Sequence, residues 1–260
     1  MPVSKNKIKY IRSLKVKKFR DEYRQFIAEG DKIVSDILRF NPTLVREVIA
    51  TGEWLLKNKN KLDLRNSTFL TEVNQKEYDQ ITSLETPSGV MALFDIPENR
   101  ADLSGIKGEL TLALDGVQDP GNLGTIIRTA SWFGIKQLFC SEDCADSYNP
   151  KVVQSSMGGV FYVNVIYTAL GELLSKFNET AGVTVYGTFT DGKRIWDERL
   201  NDSSVIVFGN ESKGISDSLL PYIHKKLTIP KYITPGSQNI ESLNVASAVA
   251  IVCSAFRSGS

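Results

Sequence analysis

The residue pattern predicts an α/β protein whose larger, C-terminal part is a mostly parallel sheet with helices on both faces. Three observations carry this. From about residue 106 onward, apolar strand-like runs alternate with helix-like runs. Val205-Ile206-Val207-Phe208 is apolar at every position, as a central strand buried on both faces must be. Several of these strands run directly into Gly- and Asn-rich junctions, the edge at which open α/β sheets bind ligands.

The chain of 260 residues is long enough for one large domain or two ordinary ones. Composition and punctuation favour two. The expected first domain is 1–97, the linker 98–108 and the second domain 109–260. The linker run Pro97-Glu98-Asn99-Arg100-Ala101-Asp102 is polar and broken by Pro, and Gly105 follows it. In the first domain the expected helices are 11–23, a run built on Ile33, Val34, Ile37 and Leu38, 53–56 and 75–83. Strands are expected at 26–28, 45–50, 67–70 and 89–94. Asp31 is the expected N-cap of the second helix. This is a small βα-alternating sandwich. In the second domain strands are expected at 109–114, 137–140, 160–166, 183–187, 205–208 and 226–229. Helices are expected at 122–133, 150–156, 170–178, 216–221 and 244–257.

Bulk properties exclude several classes. No apolar run approaches the ~18 residues of a membrane span, and the basic N-terminus lacks a signal-like apolar core. We therefore expect the chain to start near residue 1, to work in the cytoplasm and to need no membrane. Three cysteines, an odd number, suit a reducing compartment. Cys140 and Cys144 have no second Cys pair, and His224 is the lone histidine, so no metal site is expected. Neither a Gly-x-Gly-x-x-Gly run nor a P-loop is present, so a cofactor pocket must be made differently.

The net charge of +1 hides an asymmetry. Lys5, Lys7, Lys9, Arg12, Lys15, Lys17, Lys18 and Arg20 fall in the first twenty residues, with no acid among them. Such an arm is either a solvated helix face or a grip for a polyanion. Tyr10 and Phe19 among the charges favour RNA, whose unpaired bases stack on aromatic rings.

Three segments of the second domain carry the chemistry. Around Asn122 and Arg128, a turn-rich stretch runs into a helix that Asn122 can cap. Arg128 lies two turns further along. This is either a plain capped helix or a phosphate seat made of a helix N-terminus and a guanidinium. Around Gly209 and Glu211, a buried strand ends in a glycine that lets a ligand approach closely, or in a merely tight connection. Around Ser242 and Asn244, a polar start leads into a helix that is apolar nearly all round, which is buried in the core or at a subunit interface.

Together these segments resemble a known group. Asn122-Leu123-Gly124 with Arg128, Gly209-Asn210-Glu211 with Gly214, and Ile229-Pro230 with Ser242-Leu243-Asn244 and Ala248 are similar, in that order, to motifs 1, 2 and 3 of the SpoU–TrmH methyltransferases. The resemblance covers roughly residues 109–257. Phe26-Ile27-Ala28-Glu29-Gly30 and Pro87-Ser88-Gly89-Val90-Met91-Ala92 resemble that group's ribosomal-protein-like RNA-binding domain. The resemblance implies a C-terminal trefoil knot, a homodimer with its active site completed across the interface, and S-adenosylmethionine as cofactor. It implies cofactor contacts from Thr188, Gly209, Ile229 and Leu243. Arg128, Asn122, Glu211, Ser242 and Asn244 would line the reaction centre, with Arg128 the catalytic residue and a candidate base. A guanidinium holds its proton to a pKa of about 12 or more, so our own expectation is that Arg128 grips a phosphate and stabilises the developing alkoxide, with Glu211 orienting Arg128 or Asn122. Tyr232–Ile240 stands out as an inserted stretch relative to the group's usual motif 3.

The implied activity is 2′-O-methylation of RNA ribose, with ribosomal RNA the expected substrate. Transfer RNA is the alternative within the class. A non-catalytic RNA-binding or assembly factor is the alternative outside it, and the set of polar residues argues against that. A small-molecule α/β enzyme is argued against by the basic arm.

Overall fold

The computed structural model describes residues 3–58, 69–103, 106–201, 203–232 and 242–258. The chain divides into two compact units. One is Met1–Glu98 with Tyr148–Gly158, the other Asn99–Ser147 with Gly159–Ser260. No helix among the described residues is long and apolar enough to cross a membrane.

The first unit is a four-stranded mixed sheet in the order β1-β4-β2-β3. Its strands are β1 (Gln25–Glu29), β2 (Val45–Thr51), β3 (Leu70–Val73) and β4 (Val90–Asp95). Its helices are α1 (Lys5–Ser13), α2 (Lys17–Tyr23), α3 (Asp31–Phe40), α4 (Gly52–Asn58) and α5 (Gln75–Ile81). Side chains alternate across the sheet. Ile27, Ile49, Met91 and Leu93 form one buried cluster with Ile11 and Leu14, and with Tyr78 and Ile81 of α5. The amphipathic α3 buries Ile33, Val34, Ile37 and Leu38. Each such side chain contributes about 1.5–3 kcal/mol.

The expected single helix over 11–23 is two helices. Ser4 caps α1 by accepting from the Lys7 amide, and Val16 is extended before α2. Arg20 Nη1 donates to the Leu14 carbonyl at 2.9 Å, which holds the bend. Asp31 is not a cap. Gly30, at φ 116°, holds that position, and the Asp31 carboxylate accepts instead from Trp54 Nε1 at 2.5 Å. Part of the expected strand 67–70, residues 67 and 68, lies outside the described residues.

The second unit is a six-stranded, all-parallel sheet in the order β10-β8-β9-β5-β6-β7. The strands are β5 (Leu110–Leu114), β6 (Gln137–Cys140), β7 (Asn164–Tyr167), β8 (Thr184–Arg194), β9 (Ser204–Phe208) and β10 (Lys225–Thr228). The helices that follow in the chain are α6 (Pro120–Trp132), α7 (Pro150–Ser156), α8 (Leu170–Glu179) and α9 (Val245–Ser258). The two central strands, β5 and β9, are buried along their whole length. Leu170, Leu173, Leu174 and Phe177 of α8 close a core with Ala113, Phe139, Val185, Val205 and Val207. Packed together, α6 and α9 bury Leu123, Ile126, Ile127 and Ala130 of the one, and Val245, Val249, Val252 and Phe256 of the other. Phe256 meets Tyr186 of β8 edge-on at 5.5 Å.

Three elements depart from the sequence expectation. Residues 160–166 are a 3-10 turn, Gly159–Phe161, followed by β7. The expected helix at 216–221 is a 3-10 turn, Asp217–Tyr222, because Pro221 lacks the N–H that an α-helix interior needs. The segment Tyr148–Gly158, which contains α7, groups with the first unit. There the Tyr148 ring packs against Phe26 of β1 at 4.6 Å.

From β5 the chain winds outward to β6 and β7, then returns to β8 and β9 on the other side. The strand order therefore reverses between β5 and β9. In an open parallel sheet that reversal opens a crevice at the carboxyl ends of the strands, where ligands bind.

Candidate active site

The crevice is built from three junctions. The first follows β5. Asp119 caps α6, its Oδ1 accepting from the Asn122 amide at 2.8 Å, with Pro120 at the first helical position. Asn122 is therefore not the cap the sequence suggested; it is the third residue of the helix. This releases its side chain for another use. Its Nδ2 donates to Glu211 Oε1 at 2.7 Å, and its Oδ1 accepts from Asn244 Nδ2 at 2.8 Å. A carboxylate only accepts, so the amide orientation of Asn122 is dictated by its partners.

The second junction follows β9. The Asn210 backbone pairs with Gly214 in both directions at 2.9 Å, and Asn210 Oδ1 accepts from the amides of Ser212 and Lys213. A Cβ on Gly209 would lie 2.1 Å from the Gly214 carbonyl carbon and 2.3 Å from the Ile215 nitrogen. The chain's own backbone occupies that space and by itself requires a glycine here. The closed turn projects Glu211, half-buried, toward Asn122.

The third junction precedes α9. Asn244 Oδ1 accepts from the amides of Ala246 and Ser247 at 3.0 and 3.3 Å, which makes Asn244 the cap of that helix. Asn244, at the polar start of this helix, thus serves as its cap. The hydrogen bonds run in one direction, from the α9 amides to Asn244, to Asn122, to the Glu211 carboxylate. The positive end of the α9 dipole is thereby directed at that carboxylate.

Of the nine residues singled out from sequence, the hydrogen bonds unite Asn122, Glu211 and Asn244. They do not reach Arg128 or Ser242. Arg128 is exposed on α6, and among the described residues no hydrogen bond or ion pair engages it. Glu211 holds Asn122, not Arg128. Gly159 lies close under this part of α6: a Cβ on it would meet the Ile127 oxygen at 3.2 Å and the Arg128 nitrogen at 3.3 Å. Ser242 is exposed. Thr188, one residue past the last β8–β9 pair, donates to the Val207 carbonyl at 3.2 Å. Gly209 and Ile229 follow the ends of β9 and β10 and are half-buried, and the Leu243 side chain is 52% exposed. The inserted stretch is described only at Tyr232, an exposed ring; 233–240 lie outside the described residues.

A supporting layer was not read from sequence. Buried Asp115 accepts from the Ser216 amide at 2.7 Å, and Asn210 Nδ2 donates to the Gly116 carbonyl at 2.7 Å, so these two residues tie the β5 and β9 junctions together. From the β6 side, Ser141 Oγ accepts from the Gly116 amide and Cys144 Sγ from the Val117 amide. The Cys144 thiol is lowered to about 7, chiefly by hydrogen bonding with Cys140, whose own thiol is raised well above its ordinary value. The signal for this layer was the Asp115-Gly116 step directly after a strand.

Residues 109–254 match the SpoU rRNA Methylase family, and residues 5–92 match the MRM3-like substrate binding domain. The chain belongs to the SpoU rRNA methylase family. It is 30% identical over 247 residues to the 23S rRNA (guanosine(2553)-2′-O)-methyltransferase RlmP of Bacillus subtilis, covering 95% of this chain and 94% of that protein. Among solved structures, it superposes on a TrmH-family RNA methyltransferase candidate from Porphyromonas gingivalis with a TM-score of 0.84 and 36% identity, over the full length of both chains. It also superposes on an AdoMet-bound rRNA methyltransferase from Sinorhizobium meliloti with a TM-score of 0.79 and 29% identity, covering 100% of this chain and 97% of that one. The α/β fold with its parallel sheet is the one shared with these solved structures.

Proposed function

We propose that this protein methylates the ribose 2′-hydroxyl of an RNA, using S-adenosylmethionine, and that its substrate is ribosomal RNA. The observation that carries the reading is the Asn244–Asn122–Glu211 relay across the sheet's crevice, in a chain of the SpoU rRNA methylase family. The curated relative acts on 23S rRNA, and the Sinorhizobium structure holds AdoMet.

The residues present suit that cofactor. Gly209 and Ile229 follow the ends of β9 and β10, Thr188 lies on β8 just past its pairing with β9, and Gly209, Ile229 and Leu243 lie outside every strand and helix. They offer apolar contact for an adenine and backbone groups for its edge. S-adenosylmethionine brings a sulfonium methyl whose carbon is electrophilic. The protein's own task is to present the 2′-oxygen and to stabilise charge developing on it. Arg128 is assigned that role, together with gripping the neighbouring phosphate, because a guanidinium holds its proton to a pKa of about 12 or more and is a poor base. Asn122 and Ser242 assist from the crevice, and Glu211 fixes Asn122. Since Arg128 is exposed and joins none of the relay's hydrogen bonds, we assign it to a site completed by a second copy of the chain. The half-exposed Ile251 of α9 and the exposed Trp132 of α6 would face that copy. The trefoil knot of the family belongs to the same proposal.

The test is transfer of labelled methyl to unmodified ribosomal and transfer RNA, wild type beside Arg128→Ala. Alkali-resistant label in ribosomal RNA that is lost in the variant is the expected result. Cofactor binding without label in either RNA would overturn the substrate assignment.

A further inference from the structure

The first unit holds a second concave site. In β2, Val45 pairs with Phe94 and Glu47 with Leu93, so Arg46 is the extra residue of a β-bulge. A bulge re-aims the side chains beside it, and here Arg46 and Glu47 line one pocket of about 410 Å³. That volume suits one nucleotide-sized ligand. From α1, Lys7 and Tyr10 face the same pocket, three residues apart on one helix face, and Phe69, Thr71 and Leu93 also line it.

The lining is organised. Lys7 pairs with Glu47, and its Nζ lies 5.4 Å from the centre of the Tyr10 ring. Thr71 Oγ1 donates to Glu47 Oε1 at 2.7 Å. The Tyr10 hydroxyl donates to Gln25, whose Nε2 donates to Asp95 at 2.9 Å, and Arg46 donates to the same carboxylate at 3.1 Å. Beside Tyr10, Tyr23 packs edge-on at 5.2 Å and stacks with Phe19 at 6.2 Å.

This chemistry narrows the ligand. Glu47 and Asp95 disfavour a free anion, and the charged rim disfavours an apolar molecule. A base has N–H groups for the spare lone pairs of Glu47 and a flanking phosphate for Arg46, with the Tyr10 and Phe69 rings beside them. We propose that this pocket receives one unpaired nucleotide of the RNA substrate, and that Glu47 favours amino-bearing bases over uracil. The proposal rests on the RNA reading above and adds a specificity site to it.

The probes are fluorescein-labelled single-stranded heptamers of cytidine, adenosine or uridine, bound to the full-length protein and followed by anisotropy. The wild type is expected to bind the cytidine and adenosine heptamers more tightly than the uridine one. Tyr10→Leu, which removes the ring and its hydrogen bond to Gln25, should weaken binding by about fivefold, the low end of what a base–aromatic contact contributes. Glu47→Gln, whose amide both donates and accepts, should erase the base preference. The mostly exposed Arg46→Glu guards against misfolding as a cause and should also lower affinity while leaving S-adenosylmethionine binding unchanged. Wild-type affinity and base preference in all three variants would overturn the pocket. So would a wild type that binds none of the heptamers while still methylating ribosomal RNA, a result that leaves the activity assignment standing. Failure of methyl transfer with intact heptamer binding would instead sink the activity and spare the pocket.

Discussion

The Asn244 side-chain amide donates to the Asn122 carbonyl oxygen at 2.8 Å across 122 residues of chain. That bond, made to the side-chain Oδ1 of Asn122, joins the start of α9 to the first turn of α6, and Asn122 Nδ2 passes the link on to Glu211 at 2.7 Å. Asn122→Asp would set two carboxylates against each other at this spacing, so one must take up a proton. The expected outcome is a kcat lower by at least tenfold near neutral pH, partly recovered as pH falls. A kcat–pH profile beside wild type checks it; an unchanged profile would remove the relay from the mechanism.

Asn244→Ala removes both the relay and the cap of α9. Cap loss costs about 1 kcal/mol, which unfolding in urea measures. Asn244→Asp keeps the cap and loses the donor to Asn122. It should restore stability but not kcat, and that split separates the two roles.

Gly209→Ala should be poorly tolerated. Its methyl would fall 2.1 Å from the Gly214 carbonyl carbon, and backbone cannot yield as a side-chain tip does. We expect a loss of about 2–4 kcal/mol and weakened cofactor binding, read by thermal unfolding and calorimetry.

Gly159→Ala tests the seating of Arg128 without removing it. The added methyl would press on the Ile127 oxygen and the Arg128 nitrogen at 3.2–3.3 Å. A fall in kcat larger than the change in cofactor Kd is expected from methylation kinetics. Equal losses in both would point to general damage.

Acid should loosen the β8–β10 edge. Lys225 and Lys193 pair with Glu198 and hold its carboxyl below the ordinary carboxylate range. A group depressed in the folded state adds stability above its unfolded pKa, about 4.3. That stability is lost as pH falls through the lower folded value. In Tm scans from neutral pH down to about 3, Glu198→Gln should cost stability at neutral pH and converge with wild type at the acid end. A constant gap across the scan would refute the linkage.

The parallel sheet was legible because β5 and β9 are apolar at nearly every position, which only double-sided burial explains. The strands and helices themselves follow from apolar periodicity, a local signal. The site was legible as three Gly- and Asn-marked junctions, since turn formers and caps are also local. What misled was the competition between local solutions. Asn122 and Asp31 both look like caps, yet Asp119 and Gly30 hold those positions. Only the neighbours that a side chain finds in space decide whether it serves its own helix or another element.

By itself, the sequence determined the class of fold, the family and the residue types at the crevice, because periodicity, capping and motif order are written along the chain. Tertiary structure alone decided that Asn122, Glu211 and Asn244 share one chain of hydrogen bonds while Arg128 stands apart. It also decided that Gly209 is a glycine to admit residues 214 and 215. Both are matters of distance between segments far apart in sequence, and strand order, not local pattern, sets those distances.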